Sequence, residues 1–405
     1  MKKFFRKVNE VWKRIVLLFL LLLTFSYAMF QGGFVSWFLF YSFVPFGLYA
    51  FGLALYSLKE IKAERVYTKQ DYNAGEKFKA SITLRRKIPF PLFFAIAEEQ
   101  AGETLAGNKD LQSAKTMIFP GFKRIFSFHY SIENLPRGEH VLTGIKLKTG
   151  DLLGLIEKEK ILKDENKILV YPAYQELVYR TVSRHFDQGM TASKERVQRD
   201  TSMATGVREY QPGDRFSWIN WKATARRNDI MTKEFEQRQS HDVTLLMDCA
   251  PDPHFEVIVS FTASVIRAIL RKGAQVGLLT SSTERVAFPA RGGESQQQQL
   301  LYHLAKIRDT SPVSFDRVLE AETFLAQQSN SVMLVTAQLT KELVEIAVVL
   351  NQRNEAVSIF LIKNSQELST DTEKNLRSLT SARGIRLVMV HDGQFPEAFS
   401  EVNRG

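Results

Sequence analysis

The side chains that could do chemistry gather in the second half of the chain. Glu209 and Asp214 lie close together, and two carboxylates in different surroundings could divide acid and base roles in a hydrolytic reaction. Asp248 and Asp252 follow the apolar run Val243 to Met247, so their oxygens would stand at a strand end, where a hard cation could be held. Between them is Cys249, the only cysteine, which excludes an intrachain disulfide and any Cys-rich zinc or iron–sulfur site. No Cys–His nucleophilic pairing can be argued for it, and His241 and His254 flank the strand without ligand spacing. Arg291-Gly292-Gly293 could approach a phosphate, although a turn before a helix is the plainer reading. HExxH, GxxxxGK[ST] and GxSxG are all missing. No catalytic residue is assigned, no cofactor is expected, and the chain is expected not to be an enzyme.

One segment stands out by density. Residues 207–236 read VREYQPGDRFSWINWKATARRNDIMTKEFE. Pro212-Gly213 fits the centre of a type II turn, and Asp214 is then expected to cap a short helix carrying Trp218, Trp221, Lys222 and Ala225 on one face. Asn228-Asp229 ends that helix, and Ile230 to Glu236 reads as a strand. Arg208, Asp214, Lys222 and Arg226 either tie this unit to its neighbours by ion pairs or face a partner. Trp218 and Trp221 are either core or interface anchors. Arg226-Arg227 could also touch anionic lipid.

Two kinds of domain must position these residues. Tyr72 to Glu99, Lys123 to Tyr130, Val141 to Lys148, Leu153 to Glu157 and Lys167 to Tyr171 are short β-like runs separated by turn signals, which predicts an all-β, immunoglobulin-like sandwich over 66–174. Residues 175–206 read as a connector and 207–236 as the signature segment. From 237 to 400, apolar runs (Val243 to Met247, Gln275 to Thr280, Val332 to Thr336, Val357 to Ile362, Arg386 to Val390) alternate with amphipathic helices such as Phe255 to Arg271. Such alternation predicts a doubly wound, mostly parallel α/β domain.

The remaining 65 residues at the front differ in character. The net charge is +10, yet residues 1–65 alone carry nine Lys/Arg against three acids, so the other 340 residues are only +4. That balance argues against a nucleic-acid partner. Between the charges, Ile15 to Leu58 is 44 residues without Asp, Glu, Lys or Arg. This is room for two membrane-spanning helices, about 15–30 and 35–57, turning at Gln31-Gly32-Gly33, with Trp12, Trp37 and Tyr56 near the interfaces. Basic residues flank only the outer ends, which places both termini and the soluble domains in the cytoplasm of a multi-pass membrane protein. Ser26-Tyr27-Ala28 also fits a signal-peptide cleavage site, and the second span would then still deliver the rest inside.

The segment at 207–236 resembles the signature of a large bacterial family, domain of unknown function family fifty-eight, the YeaD-like membrane proteins with a von Willebrand factor A-like domain. The likeness falls on Arg208, Tyr210, Pro212, Gly213, Asp214, Ile219, Trp221, Lys222, Ala225, Arg226 and Glu234, and extends to Arg137-Gly138, Gly144 and Asp151 to Leu155. Ser217 stands where the family pattern has Arg, with Arg215 nearby. The metal site of von Willebrand A modules is Asp-x-Ser-x-Ser, whereas Asp248-Cys249-Ala250-Pro251-Asp252 has neither hydroxyl, so the resemblance implies a degenerate site and no bound metal. It also implies a membrane-anchored adaptor whose A-like domain docks a MoxR-type AAA ATPase, beside a transglutaminase-like membrane protein, in an envelope-related or stress process. The alternatives are a hydrolase using Glu209 and Asp214, or metal-dependent adhesion-type ligand binding at Asp248.

Overall fold

The computed structural model describes the chain except residues 1, 68, 70, 103–114, 181–197, 212–213, 228, 239–241, 322–330, 354–355, 368 and 401–405. It is a multidomain protein with two compact units, 1–173 and 174–405.

The first unit begins with helices α1 (Lys2–Gln31) and α2 (Phe34–Leu55), joined at Gly32 and Gly33, both with positive φ. The helices run antiparallel: Phe25 packs on Phe40, and Leu21 faces Gly47, where an added Cβ would stand 2.9 Å from the leucine side chain. Among the described residues α2 is the one helix that is long and apolar enough to cross a membrane by length and composition, and the apolar part of α1, Ile15–Gln31, is shorter than α2. Strand β1 (Lys62–Tyr67) then starts inside the stretch read from sequence as anchor.

β2 (Tyr72–Asn73), β3 (Phe78–Arg85), β4 (Ala95–Ala101), β5 (Lys115–Ile118), β6 (Ile125–Ile132), β7 (Gly138–Gly150) and β8 (Glu157–Tyr171) follow. They form two sheets, β1-β3-β6 and β2-β8-β7-β4-β5, antiparallel except that β2 runs parallel to β8. The expected alternation holds in β3 and β6: Phe78, Ala80, Ile82, Leu84, Phe126, Phe128 and Tyr130 point inward and meet Ala95, Leu142, Ile145, Leu147, Leu162 and Ile168 of the other sheet in one core. Leu153 to Ile156 is a loop rather than the expected strand, and Glu157 already opens β8. The Asp151 carboxylate accepts from the N–H groups of Leu153 and Ile156, which satisfies the backbone locally and leaves Leu152 and Leu153 exposed.

In the second unit, residues 198–206, expected to be connector, belong to a strand. β9 (Gln198–Glu209) and β10 (Met231–Arg238) make a two-stranded antiparallel ribbon enclosing the short helix α3 (Trp221–Arg227). The α/β part contains β11 (Val243–Met247), α4 (Phe255–Arg271), β12 (Val276–Ser281), β13 (Arg285–Arg291), α5 (Glu294–Lys306), α6 (Phe315–Ala321), β14 (Ser331–Thr336), α7 (Lys341–Arg353), β15 (Ala356–Lys363), α8 (Asp371–Ala382) and β16 (Arg386–His391). The sheet order is β13-β12-β11-β14-β15-β16, parallel except for the edge strand β13, so five of the six strands are those read from the sequence. Successive strand residues point to opposite faces, and both faces are covered. Leu245, Met247, Met333, Val335, Phe360 and Ile362 enter the core beneath α4, while Leu246, Val332, Leu334, Ile359 and Leu361 enter the core beneath α6 and α7. This is why these runs are apolar without alternation.

Candidate functional site

The signature segment folds around its own polar groups. Arg208, on β9, donates through Nη2 to Asp214 Oδ1 at 2.7 Å, and the Gln211 N–H donates to Asp214 Oδ2 at 3.0 Å. The bond from Arg208, then that from Gln211, hold the Asp214 carboxyl below its usual range. Asp214 is therefore an ion-pair acceptor that ties Arg208 to the backbone at Gln211. It does not cap the helix. That role belongs to Asn220, whose Oδ1 accepts from Ala223 N at 3.2 Å, because α3 begins only at Trp221. Asn is as good a capping residue as Asp, so residue type alone does not choose between the two positions.

Starting the helix at Trp221 also moves Trp218 off it, into a 3-10 turn (Phe216–Trp218), where the Arg215 guanidinium lies 5.5 Å above the indole. The expected single face of Trp218, Trp221, Lys222 and Ala225 is thus not formed. Instead Ile219 and Met231 are buried, and the loop is stitched to β10 by Asn220 N donating to Met231 O (2.8 Å) and Met231 N donating to Thr224 Oγ1 (3.0 Å). Trp221 is left 69% exposed and Phe216 78% exposed, with Lys222, Ala225, Arg226 and Arg227 exposed as well. Tyr210 packs near Phe216, and Tyr210 N donates to Ile230 O. Pro212, Gly213 and Asn228 lie outside the described residues, as does the Glu234 side chain, although its backbone pairs with Gly206.

A second cluster occupies the carboxyl ends of β11 and β14, where strand order reverses and α/β sheets place their crevices. Asp248 is buried. Its Oδ2 accepts from Thr336 Oγ1 at 2.7 Å and its Oδ1 from Ala250 N at 2.9 Å. Burial raises its pKa, and the two bonds oppose the rise without cancelling it. Asp252 Oδ1 accepts from His254 N and bonds His254 Nδ1 at 2.6 Å, while Oδ2 accepts from Gln338 Nε2. His254 Nε2 reaches Glu367 at 2.8 Å, and Lys363 bridges Glu367 and Glu373. Burial works against the charge on His254, but the bonds to Asp252 and Glu367 outweigh it and raise the imidazole pKa. Asp252 and His254 thus face inward to protein partners, and among the described residues no group of three His, Cys, Asp or Glu side chains could hold a metal. Cys249 is buried and faces its own strand end. His241 is outside the described residues. Glu367, Gln338 and Lys363 carry no signal in sequence, being far from Asp252 along the chain.

An apolar N-terminal helix, a unit of mixed sheets, and an α/β unit that carries a short aromatic and basic ribbon define the class. The chain belongs to the family described as "Protein of unknown function DUF58", whose model matches residues 206–404. It is 39% identical over 386 residues to "Uncharacterized protein YeaD" of Bacillus subtilis (strain 168), covering 95% of this chain and 96% of that one. Two solved structures resemble it distantly. One is a complex of zinc 2-glycoprotein and prolactin inducible protein from human seminal plasma (7% identity, 28% of this chain, 96% of that chain, TM-score 0.21). Another is Spo0M, a sporulation control protein of Bacillus subtilis (16% identity, 28% of this chain, 50% of that chain, TM-score 0.14). TM-scores this low leave fold and function to be argued from the chain itself.

Proposed function

We propose that this is a non-enzymatic, membrane-anchored adaptor whose signature ribbon docks a partner protein. The observation that carries the reading is the exposure of Trp221 and Phe216 on a loop whose backbone is fixed by Asn220, Thr224 and the Arg208–Asp214 pair. Exposed aromatics on a preorganised segment, with Lys222, Arg226 and Arg227 exposed on the same short helix as Trp221, have the composition of an interface anchor awaiting its pocket. In this reading the partner is a MoxR-type AAA ATPase, α1 and α2 both span the membrane, the β unit is an immunoglobulin-like sandwich, and the α/β unit is a von Willebrand A-like module with a degenerate metal position. Asp248, engaged by Thr336 and Ala250, supports a structural role there over adhesion-type ligand binding.

Two experiments test it. Trp221→Ala with Phe216→Ala should abolish capture of a purified MoxR-type ATPase by the detergent-solubilised chain and leave melting within about 0.5 kcal/mol, as exposed substitutions do. Asn220→Ala, which loosens the helix without touching that face, should cost about 1 kcal/mol, and Asn220→Asp much less. Intact capture by the double variant would move the docking surface elsewhere. For topology, a reporter active only outside the cytoplasm should fluoresce or turn over substrate when inserted at Gly32 and stay silent when fused after Gly405; activity at Gly405 overturns the cytoplasmic placement.

A further inference from the structure

We propose that the foot of α2 and the loops packed against it form a seat for the phosphate headgroups of anionic phospholipids. The proposal rests on the reading of α2 as a membrane span.

At 1.5 Å per residue α2 is about 33 Å long, close to the roughly 30 Å of hydrocarbon it would cross. Loop 86–94 packs along its last two turns. Tyr49 stacks on Phe90 (5.6 Å between centroids) and meets Phe93 (4.5 Å), Tyr56 stacks on Phe90 (5.1 Å), and Gly52 leaves space for the Phe90 ring. Tyr49 is roughly 9 Å inside the end of the helix, so this loop lies at the level of the bilayer interface.

The loops there are built rather than loose, and their tips are apolar. The buried Arg86 guanidinium donates to the carbonyls of Phe90, Gly121 and Lys123 at 2.6–2.7 Å, and Leu92 pairs with Gly121, which locks loops 86–94 and 119–124 together. Asp151 fixes loop 151–156 in the same way. Yet Phe119 and Phe122 are each 71% exposed, and Ile88, Leu152 and Leu153 are exposed too. Ordered loops that hold large apolar side chains in water are costly; the same tips entering the acyl boundary are not.

Two hollows of about 390 Å³ each share Lys13, Glu157, Lys158 and Glu159, and the first opens at the foot of α2. Lys13, Lys59, Lys158 and Lys160 line one; Lys13, Lys115, Lys148 and Lys158 line the other; Glu157 and Glu159 are the acids at both. Six lysines against two glutamates leave +4. Lys158 Nζ donates to the carbonyls of Ala54 and Tyr56, and Lys160 Nζ to those of Leu58 and Lys59, so positive charge is pinned to the negative end of the helix dipole. Lys59 at the first hollow, and Lys115 and Lys148 at the second, are not used for this, and each hollow is of a size and sign suited to a phosphodiester.

The test uses the full chain in bilayers of phosphatidylcholine, alone or mixed with phosphatidylglycerol, with bound lipid counted by native mass spectrometry after release. The wild type should retain phosphatidylglycerol preferentially. Lys59→Gln/Lys115→Gln/Lys148→Gln, which spares the two lysines that bond the carbonyls of Ala54, Tyr56, Leu58 and Lys59, should lose about a hundredfold of that preference, at roughly fivefold per lysine near a charged surface. If the triple variant melts early in phosphatidylcholine, Lys115→Gln and Lys148→Gln are read singly, each for a roughly fivefold loss. Equal preference in variant and wild type, or glycerol phosphate in detergent protecting as well as the lipid, overturns the proposal. Release of the chain by alkaline carbonate would refute the membrane reading itself, whereas an embedded chain with no preference refutes the headgroup seat alone.

Discussion

Replacing Arg65 with methionine should destabilise the N-terminal unit by about 3–5 kcal/mol, the usual cost of removing one partner from a buried ion pair. Arg65 on β1 reaches across to the other sheet, where its Nη2 meets Glu99 Oε1 of β4 at 2.7 Å with both side chains fully buried. Its Nη1 also contacts Asp164 of β8, through the carboxylate at 3.3 Å and the backbone carbonyl at 3.1 Å. Burial raises the Glu99 pKa to about 7, against the pull of the Arg65 charge. A folded value above the usual 4.5 means that the native state keeps a proton the unfolded chain releases. The contribution of Glu99 to stability is therefore greatest below that usual value and is lost as pH rises toward and through about 7. The penalty of Arg65→Met should accordingly be larger at alkaline pH, where Glu99 is a bare buried carboxylate, than at mildly acidic pH, where it can take up a proton. Hydrogen-exchange protection of β1 and β4 in the detergent-solubilised chain reads both effects. Adding Glu99→Gln should recover part of the loss and flatten its pH dependence; a loss independent of pH would show that the arginine acts only as packing.

Periodicity makes most of the architecture legible, because burial on one face or on two leaves a direct imprint on residue order. Phe78 to Leu84 alternates since one side meets the core, and Val357 to Ile362 does not since both sides do. Polar and edge strands leave a fainter imprint. Residues 198–206 form a polar strand paired with β10, and β13 is an edge strand with Pro289 inside it, a residue tolerated only where a neighbouring ladder is not needed. The site is legible as composition and not as geometry. Arg208 and Asp214 are visible as polar signature residues, but which of Asp214 and Asn220 caps the helix depends on where the helix starts. The link from His254 to Glu367 joins α4's entry to the end of β15, positions that only the sheet topology brings together. Arg65 and Glu99 pair across two sheets for the same reason.

Gly144→Ala should be as damaging as any substitution in the β unit, and it tests why a glycine stands where the resemblance to the family also placed one. Gly144 has φ +152° and sits at the register shift of β7 against β8, just after Leu142. A Cβ there would stand 2.4 Å from the carbonyl oxygen of Leu162 and 3.3 Å from Lys163 Cα. These are backbone atoms, so no side chain can swing aside; the longest strand pair in the unit must part locally or the residue must change conformation. Backbone strain and overpacking each cost about 1–3 kcal/mol, so a combined loss of roughly 3–5 kcal/mol is expected. Gly75→Ala is the control. Its φ is +83°, but nothing lies within 4 Å of where the added methyl would stand, so it should cost only the conformational strain, about 1 kcal/mol. If the two substitutions prove equally mild in thermal melts, β7 and β8 can separate at the shift without loss, and the close approach of the strands there contributes little to the fold.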